Sequence, residues 1–190
     1  MKLFSVKNFF LVVILFLTSK NVLAQSYFGF RAEPFIFVSQ THNLNFVSHS
    51  PKSDLGIYLS SFLFTYKYEV SNKISLSSRA GYLWTNEDRY NGFEAGQFMQ
   101  YYLTDKNYIL AGALVHFNKE DFIREFHLKN VVIPFLTFGL GMKFSRLFST
   151  ELQFNLPLVM EYRTSASTFS SNSYRLWGIV KLSFGLEWEL

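Results

Sequence analysis

The sequence predicts an all-β protein, an eight-stranded antiparallel up-and-down barrel, on three observations. Apolar and polar residues alternate with period two over most of the chain. The spacers between alternating segments are long and short by turns. The apolar face carries large side chains and the polar face small ones. Composition agrees: the 190 residues are 49% hydrophobic, with 23 Phe, 11 Tyr and no Cys. Such content excludes disordered, collagen-like and disulfide-stapled chains. It also exceeds the aromatic load that the core of a soluble domain this small can hide.

The N-terminal segment reads as an export signal. Lys2 and Lys7 precede the unbroken apolar run Phe9 to Leu17, and Val22-Leu23-Ala24 offers a cleavage point before Gln25. The run is too short to span a bilayer as a helix. Residues 1–24 are therefore expected to be a signal peptide and 25–190 the barrel domain. Removing 1–24 takes away Lys2, Lys7 and Lys20, so the formal charge falls from +4 to +1. With no basic stripe left, a nucleic-acid partner is not expected.

Eight segments follow. The first sets Phe28, Phe30 and Ala32 against Gly29, Arg31 and Glu33. The second, within 55–70, sets Phe62, Phe64, Tyr66 and Tyr68 against Thr65, Lys67 and Glu69. The third, 74–85, opposes Leu76, Ala80, Tyr82 and Trp84 to Ser75, Ser77, Arg79 and Gly81. The fourth and fifth, 93–103 and 108–117, alternate less cleanly and are assigned chiefly because they complete the count. In the sixth, 132–145, Leu136, Phe138, Leu140 and Met142 oppose Thr137, Gly139, Gly141 and Lys143. The seventh, 150–163, opposes Leu152, Phe154, Leu156 and Leu158 to Glu151, Gln153, Asn155, Glu161 and Arg163. The last opposes Leu176, Val180, Leu182, Phe184, Leu186 and Trp188 to Arg175, Lys181, Ser183, Gly185, Glu187 and Glu189.

Long polar spacers are expected at 39–54, 86–92, 118–130 and 164–173, and tight turns at 71–73, 104–107 and 146–149. That asymmetry matches outer-membrane barrels, with long loops outside and short turns in the periplasm. A soluble eight-stranded barrel would turn its apolar face inward, where six or seven bulky residues per strand have no room. Gly and Ser fit there, so the aromatic face is expected to meet lipid and the barrel to be transmembrane.

The polar parity then sends Arg31, Lys67, Arg79, Lys143, Arg163, Arg175 and Lys181 into the lumen, with Glu33, Glu69, Glu94, Glu151, Glu161, Glu187 and Glu189. Seven cations face seven anions. Because buried charge is costly unless paired, this balance predicts an ion-pair network filling the lumen. Ring-bearing residues near strand ends, including Tyr27, Tyr66, Tyr101, Tyr102, Trp84 and Trp188, suit interfacial girdles.

With its signal segment, eight alternating strands and closing stretch Val180 to Leu190, the chain resembles the small bacterial outer-membrane β-barrel family. That family includes OmpX and the membrane domain of OmpA. Segments such as Phe93-Glu94-Ala95-Gly96-Gln97 and Phe138-Gly139-Leu140-Gly141 are similar in style to small barrels common in Bacteroidetes. The resemblance implies residence in the outer membrane of a Gram-negative bacterium, in contact with its lipid and lipopolysaccharide. It also implies recognition of the last strand by the barrel-assembly machinery. In that family a terminal aromatic closes the strand; here Leu190 is last and Trp188 lies two residues earlier on the same face.

Chemical motifs are sparse. There is no phosphate loop, G-x-S-x-G or H-E-x-x-H, and no cofactor or metal is expected. His42, His49, His116 and His127 all fall on the loop side without metal-ligand spacing. Some eight-stranded barrels are lipid A deacylases, and in such a role His116, Ser50 or Ser61, and Glu120 or Asp121 are the candidates. The H-x-S-N element that those enzymes share is missing, since His116-Phe117-Asn118 has no serine at the required position. The expectation is therefore a monomeric structural or surface-interaction barrel whose long loops are the contact surface. Lipid A modification and a small-solute pore are the alternatives.

Overall fold

The computed structural model describes residues 25–43, 52–58, 60–85, 90–118, 126–128, 132–166 and 171–190. The expected signal segment 1–24 and the deacylase candidates Ser50, Glu120 and Asp121 lie outside them, as does His49. The described chain forms β1 (Ser26–Ala32), β2 (Phe35–Asn43), β3 (Lys52–Tyr58), β4 (Ser60–Ser71), β5 (Ile74–Trp84) and β6 (Gly92–Tyr102). After these come β7 (Asn107–Asn118), β8 (Phe126–Leu128), β9 (Val132–Lys143), β10 (Phe148–Pro157), β11 (Glu161–Ala166) and β12 (Ser171–Glu189).

These segments make eight staves. β2 prolongs β1 beyond the break at Glu33-Pro34, where proline lacks the N–H that a ladder needs. In the same way β3 leads into β4, β8 into β9, and β11 follows β10. Around the barrel the order is β1-β4-β5-β6-β7-β9-β10-β12, and β12 pairs back onto β1. Every ladder is antiparallel; the seam runs from Tyr27↔Glu189 to Ala32↔Phe184. Closure leaves no free edge on this ring of staves, the usual hazard of an open sheet.

One end carries the start of β1, the end of β12 and the tight turns after β4, β6 and β9. The other end carries the long connections. There the sheet runs past the barrel: β2 pairs β3 and the upper half of β12, and β11 pairs β12 and β8. β12 alone has 19 residues, where about 9–11 suffice to cross a bilayer at a tilt. The spacers expected at 39–54, 118–130 and 164–173 are thus partly strand, because polar residues extend the ladders beyond the apolar belt.

Side chains alternate as the unequal faces require. Outward lie Phe64 and Leu140, each 60% exposed, with Phe62, Phe138, Leu156 and Trp188 also exposed. Inward lie Thr65, Ser77, Thr137, Ser149 and Ser183, all buried. Two inward glycines are fixed by close approach. A Cβ on Gly141 would stand 2.2 Å from the Tyr108 ring, and one on Gly185 would stand 2.9 Å from the Arg31 guanidinium carbon.

Candidate functional site: the lumen network

Eight charged side chains are buried among the described residues: Arg31, Lys67, Arg79 and Lys181 against Glu33, Glu94, Glu151 and Glu187. Each sits on the inner parity of its strand, and each finds an opposite charge. Nearest the turn end, Glu187 takes Arg31 Nη2 at 2.7 Å and Lys67 Nζ in close contact. Lys67 also lies over the Tyr27 ring, 4.3 Å from its centroid. Tyr27 and Tyr102 are therefore inner residues, not girdle residues as their places near strand ends suggested; Tyr102 is buried.

Glu151 is the hub of the next layer. Arg79 binds it through both nitrogens, Nη1 to Oε2 at 2.7 Å and Nη2 to Oε1 at 2.8 Å. Arg31 Nη1 is 3.1 Å from Oε1. Gln100, Gln153 and the Tyr108 hydroxyl donate at 3.1, 2.8 and 2.8 Å. Gln153 then reaches Glu33 at 3.3 Å. In the third layer Lys181 Nζ bridges Glu33 at 3.1 Å and Glu94 at 2.5 Å. His116 Nδ1 is 3.5 Å from Glu94, and its Nε2 is 3.4 Å from Asn118 Oδ1. The contacts form one chain along the lumen, from Lys67 to Asn118.

Of the remaining residues expected inside, Lys143 and Glu69 pair at 3.6 Å at the turn-end mouth, each about a quarter exposed. Glu189 is exposed at that rim, outside the lumen. The side chain of Arg163 lies outside the described ones. Arg175 and Glu161 are a correction. They pair at 3.1 Å, but Arg175 is 44% exposed, while Leu176 is fully buried. The ladder of β12 with β2 slips between Leu176 and Gly178, and one extra residue in a strand exchanges inside for outside. Glu161→Gln is accordingly expected to cost no more than about 1 kcal/mol, the scale of an exposed pair, in a urea titration of the folded barrel.

Toward the loop end the lumen filling turns apolar. Phe35, Phe37, Leu83, Ile133, Phe135 and Leu176 are buried together above the third charge layer. Tyr90, from the connection between β5 and β6, enters this cluster and is 1% exposed. Its ring stacks parallel to His116 at 4.0 Å and meets Phe37 at 5.0 Å. The paired layers are thus capped by a hydrophobic one. Phe35 and Phe37 keep the parity of Arg31 and Glu33 across Pro34. That parity is readable in the sequence once the strand is carried past the proline.

No protein-family model matches the sequence, and no curated protein matches it. Solved structures do. The solid-state NMR structure of outer membrane protein AlkL in DMPC bilayers superposes with a TM-score of 0.55 at 13% identity, over 88% of this chain and 90% of that one. Outer membrane protein OprG from Pseudomonas aeruginosa gives 0.50 at 10% identity, over 86% and 96%. The fold is that of the small outer-membrane β-barrels.

Of the deacylase candidates, the described residues include His116 and Ser61. His116 faces Glu94 and Asn118 beneath the Tyr90 ring, and Ser61 is buried on β4. Glu94 as the acid beside His116 was not foreseen. The cue is the near-equal depth of the two residues on the fourth and fifth strands, which pair directly across the ladder. Among the described residues no group of three or more His, Asp or Glu gathers to hold a metal.

Proposed function

We propose that this chain is an integral outer-membrane protein of a Gram-negative bacterium, exported by residues 1–24 and inserted with its tight turns in the periplasm. Its role on this reading is structural or surface-interacting. The observation that carries it is the contrast between the two faces of the wall. The outside is a belt of exposed Phe, Leu, Met and Trp, while the inside holds paired, buried charges under an apolar cap. A belt of that extent suits hydrocarbon, since exposed apolar patches on water-soluble monomers are far smaller. Lipid and lipopolysaccharide are its surroundings, and the stretch Val180 to Leu190 is what the barrel-assembly machinery would read. Beyond the belt, the β2–β3 hairpin and the paired ends of β8, β11 and β12 offer the contact surface.

The test is biochemical. Membranes washed with carbonate or high salt are expected to retain the protein, and unboiled protein to migrate differently from boiled on a detergent gel. Release by the wash, or identical migration, would refute insertion or closure. In planar bilayers no steady conductance is expected; a stable small-porin current would overturn the occluded lumen. Acyl release from lipopolysaccharide, lost in His116→Ala, would replace the structural role by an enzymatic one.

A further inference from the structure

Two neighbouring turns at the periplasmic end are built on one plan. Between β6 and β7 the Thr104 hydroxyl accepts from the N–H groups of Lys106 and Asn107, at 3.3 and 2.9 Å. Between β9 and β10 the Ser145 hydroxyl accepts from those of Leu147 and Phe148, at 3.2 and 3.0 Å. The Lys143 N–H donates to the Lys106 carbonyl at 2.8 Å and ties the turns together. Each turn follows an exposed apolar residue, Leu103 or Phe144, and then carries an exposed cation, Lys106 or Arg146. Beside them opens a cavity of about 570 Å³, lined by both cations and by Asp105, Glu189, Phe144 and Leu147. Among the described residues none of these four charges is in an ion pair, whereas neighbouring Lys143 is held by Glu69 at 3.6 Å. Unpaired charges of both signs thus share one hollow with exposed apolar side chains, at the level where the belt ends.

We infer that this hollow binds the headgroup of a zwitterionic phospholipid with a primary ammonium, the phosphoethanolamine class, from the leaflet at the turn end. This rests on the membrane insertion proposed above. Basic side chains at a membrane surface attract the anionic groups of lipids. A phosphodiester suits Lys106 and Arg146, the guanidinium offering it a paired fork of donors. The ammonium has three N–H donors, and the carboxylates of Asp105 and Glu189 are acceptors only. A headgroup with a single charge would satisfy one pair and leave the other unanswered. Choline, whose nitrogen is fully methylated, brings no N–H to the carboxylates. The acyl chains run out past Phe144 and Leu147, which are 57% and 50% exposed at the edge of the outer belt. A water-soluble ligand has no use for that apolar edge.

Native mass spectrometry of the barrel in detergent reads the site. Dioleoyl-phosphatidylethanolamine, -phosphatidylcholine and -phosphatidylglycerol are offered together in equal amounts. Phosphatidylethanolamine is expected to be retained several-fold above the other two. Arg146→Gln is expected to lower that retention by about twofold to fivefold, the scale of an exposed charge contact. Asp105→Asn should remove the preference over phosphatidylglycerol. Lys73→Gln, which alters an exposed cation of the β4–β5 turn outside the cavity, should change neither. Each variant is first checked for carbonate resistance and heat-shifted migration, and failure of the unsubstituted protein there counts against insertion itself. A folded, membrane-held protein that retains the three lipids equally overturns the headgroup site alone. So does a preference for phosphatidylglycerol, an Arg146→Gln variant that retains lipid unchanged, or a Lys73→Gln loss as large as that of Arg146→Gln. Tail-less glycerophosphoethanolamine competing as well as the lipid would overturn the membrane source.

Discussion

Glu151→Ala is expected to destabilise the barrel by about 3–5 kcal/mol, the largest effect of any single charge removal. Glu151 is fully buried, pairs with Arg31, and accepts from Arg79, Gln100, Gln153 and Tyr108. Its loss leaves both terminal nitrogens of Arg79 without their carboxylate, and Arg31 with Glu187 as its one remaining carboxylate among the described residues. Water cannot readily take over, since serine, tyrosine and glutamine side chains fill the layer around it. The measurement is a urea titration of protein refolded in lipid vesicles, followed by the gel-mobility shift. Adding Arg79→Met should recover part of the loss, because residues in one network are not additive. A midpoint close to that of Glu161→Gln would mean that the lumen network contributes little to stability.

Phe138→Arg is expected to cost about 2–4 kcal/mol in lipid, the depth-dependent charge for a cation near the bilayer midplane. Phe138 lies outward at mid-height of β9, 51% exposed, opposite Phe154 and Ala111 on the flanking strands. Met142→Arg, on the same face but one residue from the turn end of β9, should cost about 0–1 kcal/mol. The gradient between the two separates a membrane wall from a water-exposed one. If the outer face met water, both substitutions would be neutral or would favour solubility.

Much of the architecture was legible because strand parity is local. Thr65 and Lys67 inward with Phe64 and Tyr66 outward follow from a two-residue period, and side-chain volume decides which parity an eight-stranded lumen accepts. The fourth and fifth strands were poorly legible for a reason the structure supplies. Their middle outer positions hold Ala95, Gln97, Ala111 and Ala113, while Phe98, Leu110 and Leu114 point inward and are buried. The usual contrast of faces is reversed there, so hydrophobic alternation fades although the strands are regular.

The sequence by itself determined the closed eight-stranded wall, its two unequal faces and the set of acids and bases turned inward. Tertiary structure decided which of them meet. Glu151 gathers Arg79, 72 positions away, and Arg31 from the first stave, because barrel closure brings non-neighbouring strands within reach across a narrow lumen. The slip in β12 put Arg175 outside and Leu176 inside, and Tyr90 entered the lumen from a connection with no strand period to report it. Parity is written residue by residue. Register, bulges and the partners of a buried charge depend on how all the staves close together.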